Sequence, residues 1–239
     1  MHSPLKETST NHRSAAVIVG TGNGLGASLA RLFSLEGLRV ILMARDGSGL
    51  AQLSRDTGAR VHTGDCSDPA ATASLFAQID QDGLVPEVVV FNVGSRHRGA
   101  VDTIDPAKVE ESWRTGCFGA FLVAQQAARR MIPRRRGTLL FTGATASVRA
   151  DAENCAVAMA KFGLRALAAS VARELSPRGI HVAHVVIDGT IANPEYNGDR
   201  RDDNDLDPDA ISRTYLELHR QHRSCWTSEL SVRPWSESF

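Results

Sequence analysis

Residues 19–33 read VGTGNGLGASLARLF, an apolar lead into four glycines followed by a helical pattern. Gly20, Gly22, Gly24 and Gly26 crowd a single turn. Glycine tolerates φ > 0 and lacks the Cβ that would hold a phosphate at a distance. A helix beginning near Gly24 also turns unpaired N–H groups and its positive dipole end toward that turn. A glycine-rich turn alone is a weak signal. This one gains force from its place after the first strand of an alternating chain, where it points to dinucleotide binding.

The alternation runs to the end of the sequence. Strand patterns cover 15–20, 39–43, 60–64, 87–92, 137–142, 180–187 and 229–233. Helical patterns cover 24–36, 48–56, 69–81, 106–132, 152–175 and 208–223. Stretches such as VVVFN (88–92) and HVAHVVI (181–187) are apolar at every position or nearly so, as expected of parallel strands covered by helices on both faces. The expected fold is therefore α/β, a Rossmann-type doubly wound parallel sheet of about seven strands, in one domain spanning 1–239. Residues 1–13 read as a flexible polar lead. Residues 188–225 open on an Asp-, Asn-, Gly- and Pro-rich stretch and read as a mobile substrate loop or lid. Ligands of such sheets bind outside the carboxyl ends of the strands, so chemistry is sought in the loops there.

Composition narrows the function classes. Lys and Arg together number 27, as do Asp and Glu, which leaves no electrostatic case for nucleic acid or an anionic membrane. Aromatics at 5% are too sparse for base stacking. The run Arg134-Arg135-Arg136 reads as a solvated helix-to-strand turn. The first residues lack the apolar centre of a signal peptide. No uninterrupted apolar run approaches the roughly 18 residues of a membrane span. Cys66, Cys117, Cys155 and Cys225 form no metal-binding spacing, so no metal site is expected; reduced thiols in a cytoplasmic protein are the reading they favour. His181 and His184 on the sixth strand read as structural.

The spacing Gly20-x-x-x-Gly24-x-Gly26 resembles the glycine motif of the short-chain dehydrogenase/reductase family. So do GDCSDPA (64–70), FNVG (91–94) and AMAKFGLRALAASVARELSPRGIHV (158–182), in order and at family spacing over about residues 14–192. The resemblance implies that Gly20, Gly22, Asn23, Gly24, Leu25 and Gly26 cradle the phosphates of a nicotinamide nucleotide. It places Asp65 and Cys66 at the adenine. Asn92, Gly94, Lys161, Gly189 and Ile191 complete the implied set. At the end of the second strand, in ILMARDG, the acid that would select NAD is replaced by Ala44 and followed by Arg45, which can pair with a 2′-phosphate. NADP is the expected cofactor, with NAD left open by Asp46.

The same resemblance exposes a gap. In the family a lysine corresponding to Lys161 holds the nicotinamide ribose and lowers the pKa of a tyrosine one turn earlier, which moves the substrate proton. That position is Val157. Ala144 stands where the family has serine, and Gly116 where it has asparagine. Enoyl reductases of the superfamily place the tyrosine seven residues before the lysine, which here is Asn154. Tyr196 and Thr145 remain as candidate proton-handling hydroxyls, Tyr196 being equally a surface aromatic. The chain resembles a subgroup of the family that keeps the lysine, lacks the tyrosine and ends in a stretch like Trp226–Trp235 here.

Two functions follow. One is an NADP(H)-dependent oxidoreductase with a non-standard site, acting on a small molecule with a C=O, C=C or C=N bond. The other is a catalytically inactive nucleotide-binding sensor or scaffold. The small-residue faces GAFLVAQQAA and ALAASVA permit the family's four-helix pairing, so a homodimer or homotetramer is expected.

Overall fold

The structure, a computed structural model, describes residues 13–193 and 204–236. Among these residues lies one parallel sheet: β1 (Ser14–Val19), β2 (Arg39–Ala44), β3 (Arg60–Thr63), β4 (Val85–Phe91), β5 (Thr138–Thr142), β6 (His181–Ile187) and β7 (Glu229–Val232). Their spatial order is β3-β2-β1-β4-β5-β6-β7. The doubly wound fold expected from the alternation is therefore present, and winding reverses between β1 and β4.

Both faces of the sheet are covered. Helices α1 (Leu25–Leu35), α2 (Ala51–Thr57) and α7 (Pro208–Arg220) close one layer, where Phe33, Leu29 and Tyr215 pack against Ile18, Leu42 and Val185. Helices α3 (Pro69–Gln81), α5 (Gly119–Met131) and α6 (Cys155–Leu175) close the other, where Phe76, Met131 and Leu164 meet Val17, Val89 and Phe141. Alternate side chains of one strand thus feed two cores, which is why the strands read as unbroken apolar runs.

Some boundaries differ from the sequence reading, each for a local reason. β4 begins two residues earlier than expected and includes Pro86, and the β1–β4 register shifts between Ala15 and Ala16, where Pro86 cannot join the ladder. The expected helix over 106–132 is α4 (Pro106–Trp113), a π-helical turn (Arg114–Phe118) and α5 in succession. α6 starts at Cys155 because Glu153 takes a left-handed φ of 57° that no helix continues from. By length and composition alone, Cys155–Arg178 is apolar enough to cross a membrane, which corrects the expectation that no such stretch exists. Lys161, Arg165 and Arg173 interrupt the run and hid it; in the fold the helix lies on β6 and lends Leu164, Ala168 and Leu175 to the core. Arg136 is more than a solvated turn residue, since it pairs with the buried Glu87 carboxylate of β4.

α7 is anchored to the sheet by a buried hydroxyl pair, Thr142 Oγ1 to Tyr215 Oη at 2.8 Å. Tyr215→Phe removes one partner and leaves the other without a bond in the core. It is expected to cost about 1–3 kcal/mol of unfolding free energy in urea titration.

Candidate functional site

At the point where winding reverses, the carboxyl ends of β1 and β4 open onto a cleft of about 830 Å³. Its floor is set by a close approach. Gly20 has φ +88°, and a Cβ there would lie 2.7 Å from the Asn92 carbonyl oxygen. The Asn92 carboxamide in turn donates to the Gly20 carbonyl at 3.0 Å, and its backbone N–H to Val19 at 2.8 Å. Gly26 lets α1 sit on the same turn, since a Cβ would meet Thr21 Cα at 3.0 Å. Gly20, Gly26 and Asn92 therefore shape the turn, while Gly22 and Gly94 line the cleft with open space where a Cβ would stand.

The cleft fits a dinucleotide. α1 begins at Leu25 with Gly24 as its cap and no side-chain cap, so its first N–H groups are left for a ligand. Leu25 and Gly24 line the cleft with the other glycines. Arg45 lines it at the end of β2, exposed and 3.7 Å from Glu111. Asp46 turns away: its carboxylate accepts from the Ser48 N–H at 2.9 Å and the Ser48 hydroxyl at 3.0 Å, which holds it below its usual pKa. Asp65 and Cys66 line the cleft past β3; Asp65 accepts from Ser67 N–H at 2.8 Å, and burial pushes the Cys66 thiol up to about 12. Gly189 and Ile191 line the far wall. Asn23 is a described residue of the glycine turn.

Lys161 closes the inner end. It is 7% exposed, yet it lines the cleft. Its ammonium donates to Thr142 O at 2.8 Å and Val93 O at 3.1 Å, so α6, the turn after β4 and the end of β5 meet on one charge. Desolvation lowers its pKa from the usual lysine range to about 8. Val157 stands one turn earlier in the cleft wall, as expected, and Ala144 stands after β5. Gly116 lies in the π-helical turn, where a Cβ would come within 3.1 Å of Ala160 Cβ. The packing that seats α6 against this turn thus has little room for a side chain at 116. π-Helical turns cluster at functional sites, and the neighbouring Thr115 lines the cleft.

Of the two candidate hydroxyls, Thr145 lines the cleft but donates to Asp188 at 2.7 Å. Tyr196 lies outside the described residues. Cys155 is half-buried at the start of α6. His181 and His184 are buried in β6, bonded to Thr227 O at 2.8 Å and to Glu229 at 3.0 Å.

Sequence reasoning missed part of the outer wall, namely Arg149, Asp151, Asn154 and Thr190. Asn154 is 5% exposed, and its Oδ1 has no hydrogen-bond partner among the described residues. Glu153 sets it there: the left-handed turn is pinned where Glu153 O accepts from Gly99 N–H at 2.9 Å. The signal available was position, since these residues follow the ends of β5 and β6.

The sequence profile described as short chain dehydrogenase matches residues 14–204. The chain is 30% identical over 179 residues to the 3-oxoacyl-[acyl-carrier-protein] reductase MabA of Mycobacterium avium, covering 74% of this chain and 68% of that protein. It spans 41 to 68% of the length of the first curated relatives it matches. The structure of a short-chain dehydrogenase from Rhodopseudomonas palustris superposes with a TM-score of 0.82 at 32% identity, covering 93% of this chain and 99% of that one. A metagenomic short-chain oxidoreductase in complex with NADP gives 0.82 at 26% identity, covering 95% and 99%.

The buried ammonium makes a measurable demand on stability. Its folded pKa of about 8 lies below the unfolded value of about 10.4, so between these the unfolded chain holds a proton that the folded chain has released. Stability therefore rises with pH across that window, and the full penalty applies below it. Against Lys161→Met, the wild type should gain about 1 kcal/mol between pH 8 and pH 9 in denaturant titrations; cysteine ionisation is common to both proteins and cancels.

Proposed function

Because the chain belongs to the short-chain dehydrogenase family, we propose that it is an NADP(H)-dependent oxidoreductase with a non-standard active site. Its substrate is a small molecule carrying a C=O, C=C or C=N bond. The single observation behind this reading is a nucleotide-sized cleft with an open glycine cradle at one end and a buried lysine at the other. Gly22, Gly24 and the first amides of α1 would hold the pyrophosphate, Arg45 a 2′-phosphate, Asp65 and Cys66 the adenine. Lys161, with Gly189 and Ile191, would hold the nicotinamide riboside. The bound nucleotide supplies or accepts a hydride. The chain's own task is to orient that group, exclude water and move one proton.

Arg45 favours NADP over NAD because it lines the cleft while Asp46 is spent on Ser48. Trp113, Phe121, Met159 and Phe162 remain exposed on α4, α5 and α6, the helices expected to pair with a second copy, which supports a homo-oligomer. The cysteines are free thiols in the fold, in keeping with a reducing compartment such as the cytoplasm. The second reading, an inactive nucleotide-binding homologue, rests on Val157, Ala144 and Gly116, which together remove the hydroxyls and amide of the family's proton path.

Arg45→Glu should weaken NADPH binding by about tenfold, roughly 1.4 kcal/mol, and leave NADH binding less affected, as read by titration of nucleotide fluorescence. Oxidation of NADPH across a panel of ketones, enones and imines separates the two readings; a silent panel on nucleotide-saturated protein favours the inactive homologue. Val157→Tyr combined with Ala144→Ser should raise carbonyl reduction by about a hundredfold over wild type where the pocket is otherwise intact.

A further inference from the structure

We propose that Lys161 itself is the proton donor, its ammonium doing directly what a tyrosine would do one turn earlier. The inference rests on the oxidoreductase reading above and assigns the group that moves the proton. Three features of the geometry carry it.

First, Val157 places only an isopropyl group in the cleft wall one turn before the lysine, where a tyrosine would carry its hydroxyl. Second, an ammonium has three N–H groups, and two are committed, to Thr142 O at 2.8 Å and Val93 O at 3.1 Å. The third remains for the cleft that Lys161 lines. Third, several of the proton-bearing groups that line the described cleft are already engaged. Thr145 donates to Asp188, and the Thr142 hydroxyl is paired with Tyr215. Ser95 is bonded to Ser112, and Asp151 is paired with Arg149. Burial holds the Cys66 thiol up at about 12, too weak an acid for the task.

Burial supports the assignment, bringing the ammonium down to about 8, close enough to neutrality to give a proton away. The titratable group in electrostatic reach of Lys161 is His184 on β6. It is held neutral by its own burial, with Nδ1 on Glu229, which is bound in turn to Arg165. On the cleft side the lining carries the Arg149–Asp151 pair, with Asp188 behind Thr145.

The step balances. The carbonyl carbon takes a hydride from the reduced nicotinamide nucleotide while an N–H bond at Lys161 Nζ breaks and an O–H bond forms on the substrate. The substrate gains a hydride and a proton, two electrons and two protons in all; the nucleotide is oxidised, and Lys161 is left as a neutral amine that solvent reprotonates through the cleft.

The chain has three lysines, Lys6, Lys108 and Lys161, so protein grown on lysine isotopically enriched at Cε gives three resonances, and Lys161→Arg identifies the one of interest. In the NADPH complex that resonance should titrate near 8. Single-turnover reduction of ethyl pyruvate, cyclohexenone and pyrroline is then followed against pH. The rate on the responsive probe should be flat below about 8 and fall about tenfold per pH unit above it. Lys161→Arg keeps the charge and should bind NADPH within about threefold of wild type, yet reduce the probe about a hundredfold more slowly. Should arginine not fit, Lys161→Ala serves instead: added methylamine or ethylamine should restore part of the rate in proportion to amine acidity. The proposal is overturned if Lys161 stays charged beyond pH 10 in the complex, if the arginine variant binds and reduces as wild type does, or if wild type binds NADPH but reduces none of the three probes. A wild type that fails to bind NADPH at all overturns the oxidoreductase reading as well, and that arm is measured separately.

Discussion

The cleft exists because two backbones come closer than side chains ordinarily allow. At the reversal of the winding, the Gly20 turn and the Asn92 turn are in direct contact, and the Asn92 carboxamide donates across to the Gly20 carbonyl. A Cβ at Gly20 would meet both Asn92 and Val93 at 2.7 Å. With this junction fixed, α1 is aimed at the space between β1 and β4, and the turn that carries Val93 is held where Lys161 can reach it. Several residues that resemblance assigns to nucleotide binding thus act first on the protein. Gly20, Gly26 and Asn92 make the cradle, and Gly22 and Gly94 leave it open.

The fold was legible in the sequence because its determinants are local and repeated. Apolar runs of strand length, helical periodicity and a glycine turn at the first crossover are properties of neighbouring residues, and they led directly to a parallel sheet wound on both sides. Boundaries were less legible where a single residue decides them against the pattern. Pro86 sits inside β4 at the cost of a register shift, and Glu153 delays α6 by adopting φ 57°. The π-helical turn has no periodic signature, since one helix of matching length would read the same.

The site divides along the same line. The end of the cleft at β1, β2 and β3 is built from contiguous motifs, and the glycines, Leu25, Arg45, Asp65 and Cys66 expected there line it, while Asn23 does not. The outer wall is built from one short segment, Arg149, Asp151 and Asn154, tied to the distant loop after β4 by the Gly99–Glu153 hydrogen bond. Nothing in the immediate sequence of Asn154 announces that its Oδ1 is buried without a partner. The ion pair of Arg136 with Glu87 was hidden for a related reason: a basic run looks solvated until tertiary packing places one buried carboxylate behind it.

The missing catalytic side chains and the state of Lys161 are linked by dielectric. A tyrosine at 157, one turn before the lysine, would bring a polar group into this wall. Valine offers none. The charge is then stabilised by two backbone carbonyls alone, in a setting where burial penalises the protonated form. Replacing the polar groups therefore acts twice: it removes the ordinary proton donor, and it makes the remaining ammonium a stronger acid. Gly116 adds to this by letting the π-helical turn close against Ala160, the residue next to Lys161. A lysine whose stem is packed this way, and whose charge is held this weakly, is poorly suited to serve only as a structural cation. The balance of burial against two carbonyl bonds suits a group that gives up its proton when a substrate arrives.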